Sequence, residues 1–230
     1  MAGVESHSIS PLIPDSQPAP ETERIQSNCG LFAVADVSNF PGGIDLKSMT
    51  LLAGASLQHR AEGAAGYVVY DGKGERRVIK GIDTIAVAFQ NGRRIPDVND
   101  ARIAILHTRY PTSGGSDNPA NIQPLFKDGI TFAHHGNLTN AREILDKMPD
   151  IDIGGEFPDN DSWIALNAIV RAEGETLEQK MINAQRKIEG GYAFIATDGK
   201  GLVASRDPEG IRPLFLGRIG PEDDPQAYVL

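Results

Sequence analysis

Two β-hairpins written to the same plan constrain this chain more than any other feature of it. GYVVYD runs into Asp71-Gly72-Lys73-Gly74 and out through ERRVIKG, and GYAFIAT runs into Asp198-Gly199-Lys200-Gly201 and out through LVASRD. Short β-branched and aromatic runs on either side of an Asp-Gly turn predict antiparallel pairs. CGLFAVAD, from Cys29 to Asp36, reads as a buried strand, and RIAILHTRY and ITFAHHG read as two more. Helical signals fall between them. Leu46 to Gln58 puts Leu46, Met49, Leu52, Ala53 and Leu57 on one face, and a second helix covers about Asp161 to Arg171. Asn140 and Glu143 have capping-box spacing before Ala141 to Met148, as do Thr176 and Gln179 before Leu177 to Ile188, where Gly190-Gly191 stops the run. The closing stretch QAYVL reads as a final strand, or as a point where an ancestral chain ran on. Hairpin-linked strands with helices in pairs predict an α+β fold, antiparallel sheets covered by helices, rather than a doubly wound parallel sheet.

The 22 Lys plus Arg are outnumbered by 31 Asp plus Glu, a formal net charge of -9, so no broad cationic surface awaits a nucleic-acid backbone. No apolar run approaches the roughly 20 residues that cross a bilayer, and the N-terminus lacks a basic and apolar signal, so a cytoplasmic protein with no membrane partner is expected. Cys29 stands alone, which excludes an intrachain disulfide and a Cys-rich metal site. Neither GxGxxG nor GxxxxGK[ST] occurs, and no cofactor is expected. Residues 1–28 carry Pro11, Pro14, Pro18 and Pro20, with Arg24 outweighed by Glu5, Asp15, Glu21 and Glu23. That composition predicts a disordered leader or propeptide before a folded domain over 29–230.

Removing the leader would leave Cys29 with a thiol and a free α-amine. An α-amine titrates at about pH 8, so one residue would supply nucleophile and base. A small buried hydrophobe at a strand start is the plainer reading of a lone cysteine. Arg109 ends a strand before a Gly-rich loop, and its planar guanidinium suits a carboxylate; a surface ion pair is its plainer role. After ITFAHH, the turn at Gly136 offers backbone N–H groups beside a side-chain donor, the arrangement that stabilises a tetrahedral oxyanion. The adjacent His134 and His135 point to opposite faces of a strand and share a metal poorly, so no metal site is expected. Asp161 at a helix start serves either the helix dipole or a substrate ammonium. Taken together, these groups describe hydrolysis of the side-chain amide of an α-amino acid, namely L-glutamine.

Cys29-Gly30-Leu31-Phe32, Leu57-Gln58-His59-Arg60, His107-Thr108-Arg109-Tyr110-Pro111-Thr112, Gln123-Pro124, Gly136-Asn137-Leu138-Thr139-Asn140, Asp161-Ser162 and the run from Arg206 to Leu214 occur in a telling order. In these blocks the chain resembles class II glutamine amidotransferase domains, most of all the glutaminase half of amidophosphoribosyltransferases of purine biosynthesis. The resemblance implies an N-terminal-nucleophile hydrolase fold, a four-layer α/β/β/α sandwich with two stacked antiparallel sheets. It implies Cys29 as nucleophile, Gly136 as an oxyanion-hole donor with His135 beside it, and Arg109, Thr112, Asp161 and Arg60 as substrate-binding residues. It also implies that ammonia passes to an acceptor, in the family a phosphoribosyl-transferring domain, which is expected here on a partner synthase or transferase subunit. A homo-oligomer is compatible with all of this.

The chain departs from the family pattern at two positions near the substrate. The family reads Asn-Gly where this chain has His135-Gly136, and His-Arg-Gly-Gln where it has His59-Arg60-Ala61-Glu62. A changed oxyanion donor, together with a methyl group where glycine permits close approach, supports a second reading: a catalytically weakened or inactive homologue with a binding or regulatory role. A third is an N-terminal-cysteine amidase acting on another amide, which the retained Arg109 and Asp161 oppose.

Overall fold

A computed structural model describes residues 29–38, 45–109, 119–148, 150 and 160–230, so the leader over 1–28 lies outside the described residues. The strands are β1 (Gly30–Asp36), β2 (Ala64–Asp71), β3 (Arg76–Ile82), β4 (Ala101–Arg109), β5 (Leu125–Lys127), β6 (Ile130–Leu138), β7 (Gly190–Thr197), β8 (Leu202–Arg206), β9 (Gly217–Ile219) and β10 (Ala227–Val229). The helices are α1 (Leu46–Leu57), α2 (Ile85–Ala88), α3 (Ala141–Asp146), α4 (Asp161–Arg171) and α5 (Leu177–Gln185). One sheet has the order β3-β2-β4-β1-β10-β9 and the other β5-β6-β7-β8. Every pairing is antiparallel.

Three apolar layers hold these elements together. On the outer face of the six-stranded sheet, Leu46 of α1 and Ile85 and Ala88 of α2 pack on Val34, Tyr67, Val69, Ala104 and Leu106. Ala33, Val68, Tyr70, Ile103, Ile105, Ala133 and Ile195 fill the space between the sheets. On the far side, Ile164, Leu166 and Ile169 of α4 and Met181 of α5 cover Phe132, Tyr192 and Phe194. Alternate residues of β4 therefore serve different layers, Ala104 and Leu106 outward and Ile103 and Ile105 inward, as the two-residue strand repeat requires. The result is the expected helix-sheet-sheet-helix stack.

Both Asp-Gly-Lys-Gly turns use the same local device. Asp71 Oδ1 accepts from the N–H of Lys73 and of Glu75, and Asp198 Oδ1 accepts from the N–H of Lys200 and of Gly201. Such Asx contacts explain why Asp leads each turn. QAYVL forms the final strand β10, between β1 and β9.

Helix boundaries hold at α4, where the Asn160 side chain accepts from the N–H of Ser162 and of Trp163. Thr176 caps α5 as its spacing predicts. Asn140, however, makes no side-chain cap to α3. Its amide instead donates to Lys187 O and its oxygen accepts from Glu189 N–H, which ties the start of α3 to the α5–β7 connection. The two helices also stop earlier than expected, at Asp146 and Gln185 rather than at Met148 and Ile188, with the last residues wound into turns.

Candidate functional site

The two central strands bring the candidate nucleophile and its cationic neighbours together. Gly30 pairs with Thr108 and Leu31 with His107 across β1 and β4, so Cys29 falls beside Arg109 where β4 ends. Gly30 N–H donates to Thr108 Oγ1 at 3.0 Å, which fixes the backbone immediately after Cys29. Arg60, in the 3-10 turn after α1, donates from Nε to the Cys29 carbonyl at 3.1 Å. Arg109 is half-buried; burial disfavours its charge, while the nearby Cys29 sulfur favours it. One guanidinium, that of Arg109, thus stands near the half-buried thiol while a second, that of Arg60, holds the carbonyl of the same residue, a setting suited to a thiolate and to a substrate carboxylate.

A second set of groups comes from β6 and α4. By alternation His135 shares the inner face of β6 with Ala133, whereas His134 turns toward α4. The two histidines therefore serve different layers. Among the described residues no group of three or more His, Cys, Asp or Glu side chains is placed to hold a metal. Gly136 has φ +147°, and a Cβ there would lie 2.2 Å from Gly191 O, so only glycine fits this bend in the strand. Two residues on, Leu138 N–H donates to Asp161 Oδ2 at 3.1 Å, which joins the start of α4 to the end of β6. Asp161 Oδ1 lies 3.8 Å from His134 Nδ1. Burial pushes the His134 ring toward its neutral form; Asp161 opposes this and Arg212 adds to it. Ser162 Oγ, 3.0 Å from His134 Nδ1, receives a hydrogen bond from Gln123 Nε2.

Of the residues picked out from the sequence, Cys29, Arg60 and Arg109 form one cluster, and His135, Gly136 and Asp161 line the end of β6. His107 stands between the two sets, close enough to Arg109 and His135 to feel both charges. Thr112 lies outside the described residues. Ala61 is extended, at φ -161° and ψ 129°, so its methyl group imposes no backbone strain. Thr108, Gln123 and Ser162 complete the hydrogen-bond network without having been assigned a role from sequence. No local pattern marks any of the three: Thr108 lies between His107 and Arg109, Gln123 precedes β5, and Ser162 is in α4.

The motif from Arg206 to Leu214 is built around one carboxylate. Asp207, buried, accepts from Tyr192, Ile211 and Arg212 N–H at 3.2, 2.7 and 3.0 Å. Burial raises its pKa, but these backbone bonds outweigh it and hold the group below the usual carboxylate range. A cleft of about 1010 Å³ opens elsewhere, at the far end of β1, between the two Asp-Gly-Lys-Gly turns and Leu216. It is separate from the Cys29 cluster. Among the described residues no helix is long and apolar enough to cross a membrane.

A family model described as a glutamine amidotransferase domain matches residues 107–223, a span containing Arg109, His135, Gly136 and Asp161. An amidophosphoribosyltransferase of Lacticaseibacillus casei is 33% identical over 202 residues, covering 86% of this chain and 98% of that protein. The chain belongs to the glutamine amidotransferase domain family. Another amidophosphoribosyltransferase, from Rhizobium etli, is 32% identical over 223 residues and 94% of this chain. The chain spans 41% of that relative's length. Among solved structures, the allosteric regulatory enzyme of purine biosynthesis superposes with a TM-score of 0.70 at 31% identity, over 86% of this chain and 40% of that one. The likeness confirms the two-sheet N-terminal-nucleophile hydrolase architecture of this glutamine amidotransferase domain.

Proposed function

We propose that this glutamine amidotransferase domain hydrolyses L-glutamine to glutamate and ammonia through a thioester on Cys29. The observation that carries the proposal is the gathering of Cys29, just before β1, with Arg109 at the end of β4 and Arg60 in the turn after α1; Asp161 is tied to the end of β6, the strand that carries Gly136. Removal of residues 1–28 frees the Cys29 α-amine, which takes the thiol proton as sulfur attacks the side-chain carboxamide. Arg109, with Thr112, holds the α-carboxylate and Asp161 the α-ammonium. Arg60 steadies the Cys29 carbonyl at the edge of the same pocket. The oxyanion of the tetrahedral intermediate is met by Gly136 N–H and a ring N–H of His135. Collapse breaks the C–N bond, and the amine's proton leaves with ammonia. Water then cleaves the γ-glutamyl thioester to release glutamate and restore the thiol.

The ammonia is delivered to an acceptor beyond these 230 residues, a phosphoribosyl-transferring one by analogy with the amidophosphoribosyltransferases, in a cytoplasmic purine pathway. The weakened-homologue reading finds no support in the backbone at Ala61, which is ordinary extended chain. The test is glutamate release from glutamine by the purified protein, compared with its Cys29→Ala variant. Release by the parent and none by the variant is expected; equal release by both removes Cys29 from the reaction.

A further inference from the structure

The strand that carries Gly136 loses its neighbour just where the site begins. β5 pairs with β6 from Lys127↔Ile130 to Leu125↔Phe132, and the next position in that ladder, opposite His134, would fall at Gln123. No strand continues there, yet His134 is buried, and both of its backbone groups need partners. Side chains supply them. His134 N–H donates to Gln123 Oε1 at 2.6 Å, and His107 Nε2 lies 3.1 Å from His134 O.

The second of these bonds crosses from one sheet to the other, because His107 is on β4. It also fixes the state of the ring. A carbonyl only accepts, so Nε2 carries the proton. Burial drives the ring's pKa down to about 3, the carbonyl bond opposing and the neighbouring His135, His134 and Arg109 adding to the effect, so the ring is neutral. Its Nδ1, buried and without a hydrogen-bond partner, is then a bare acceptor.

The surroundings are cut to fit this bridge. Gly66 is the register neighbour of His107 on β2, and a Cβ at Gly66 would meet Gln123 O at 1.9 Å. The absent side chain lets the Gln123 segment close onto the six-stranded sheet beside His107. Gly66, Gln123, His134 and His107 therefore form one contiguous unit. The carbonyl held by His107 belongs to the peptide that joins His134 to His135. The next peptide supplies Gly136 N–H.

We propose that His107 is a positioning residue for glutamine hydrolysis, transmitting the placement of Arg109 on β4, and of Cys29 beside it, to the oxyanion donors at His135 and Gly136 on β6. This rests on the reading of the site given under the proposed function. His107 acts through the backbone of β6 and not on the substrate. Its loss therefore lowers kcat, while the KM set by Arg109 and Asp161 stays nearly constant.

The experiment compares His107→Asn and His107→Gln in the full chain by steady-state glutamate release, with thermal melting of each protein. Glutamine places an amide N–H near the position of Nε2, whereas asparagine is too short to reach His134 O. The expected result is a fall in kcat on the order of a hundredfold for His107→Asn with KM within about threefold, and substantial recovery in His107→Gln. Equal kcat in both variants and the parent overturns the inference, as does a loss seen mainly in KM. Absence of glutamate release from the parent protein overturns the proposed function, and this inference with it. Nitrogen NMR of the parent supplies a readout independent of variant folding. A neutral ring with its proton on Nε2 from about pH 5 to 8 is expected, and a charged ring or an Nδ1–H tautomer contradicts the bridge.

Discussion

The space between the two sheets has two halves that the same strands treat differently. Along the inner face of β4, Ile103 and Ile105 give way to His107 and then Arg109; on β6, Ala133 gives way to His135. In the first half apolar side chains meet, and Tyr70 and Thr131 join in a polar contact of 2.7 Å. In the second half a histidine and an arginine replace the isoleucines, and His107 and Arg60 each bond a backbone carbonyl. The strand repeat is uninterrupted, so the difference lies in side chains alone. The first half holds the sheets together, and the second is held in place by it.

The largest effect that sharpens this contrast comes from the polar half. Arg109→Ala is expected to raise KM for glutamine on the order of a hundredfold, the loss of a charge-assisted pair, with stability changed by less than about 1 kcal/mol. Steady-state kinetics and chemical denaturation check both numbers. A large stability loss with unchanged KM would make Arg109 part of the scaffold and erase the contrast. The smaller effect comes from the apolar half. Ile105, fully buried between the sheets, should cost about 2 kcal/mol when cut to alanine, with kcat per folded molecule unchanged. If kcat falls instead while stability holds, the two halves are not separable.

Much of the fold was legible because its signals are local. The two Asp-led turns, the Thr176 cap and the apolar runs of β2 and β4 are each written within about ten residues. The three-residue strands β5 and β9 were not legible, since such short elements are defined by their partners rather than by any pattern of their own. Asn140 misled for a related reason: its capping-box spacing is genuine, but a tertiary contact with Lys187 and Glu189 claims the side chain.

The site divides along the same line. Cys29, Arg109 and Asp161 could be picked out by their positions at element ends. The Arg60 bond to the Cys29 carbonyl spans 31 residues, and the role of His107 depends on where β5 begins. Neither fact is contained in any local stretch of sequence. The methyl of Ala61 and the imidazole of His135 both look disruptive as letters. In the structure, Ala61 takes ordinary extended backbone, and His135 sits on the inner face of β6 beside His107.

The most direct test of the account is intact and peptide mass spectrometry of the protein after incubation with a glutamine-analogue thiol alkylator, with and without excess glutamine. The prediction is a chain that begins at Cys29 and bears a single adduct on that residue, suppressed by glutamine. A chain that retains residues 1–28, or an adduct that glutamine does not suppress, would contradict it.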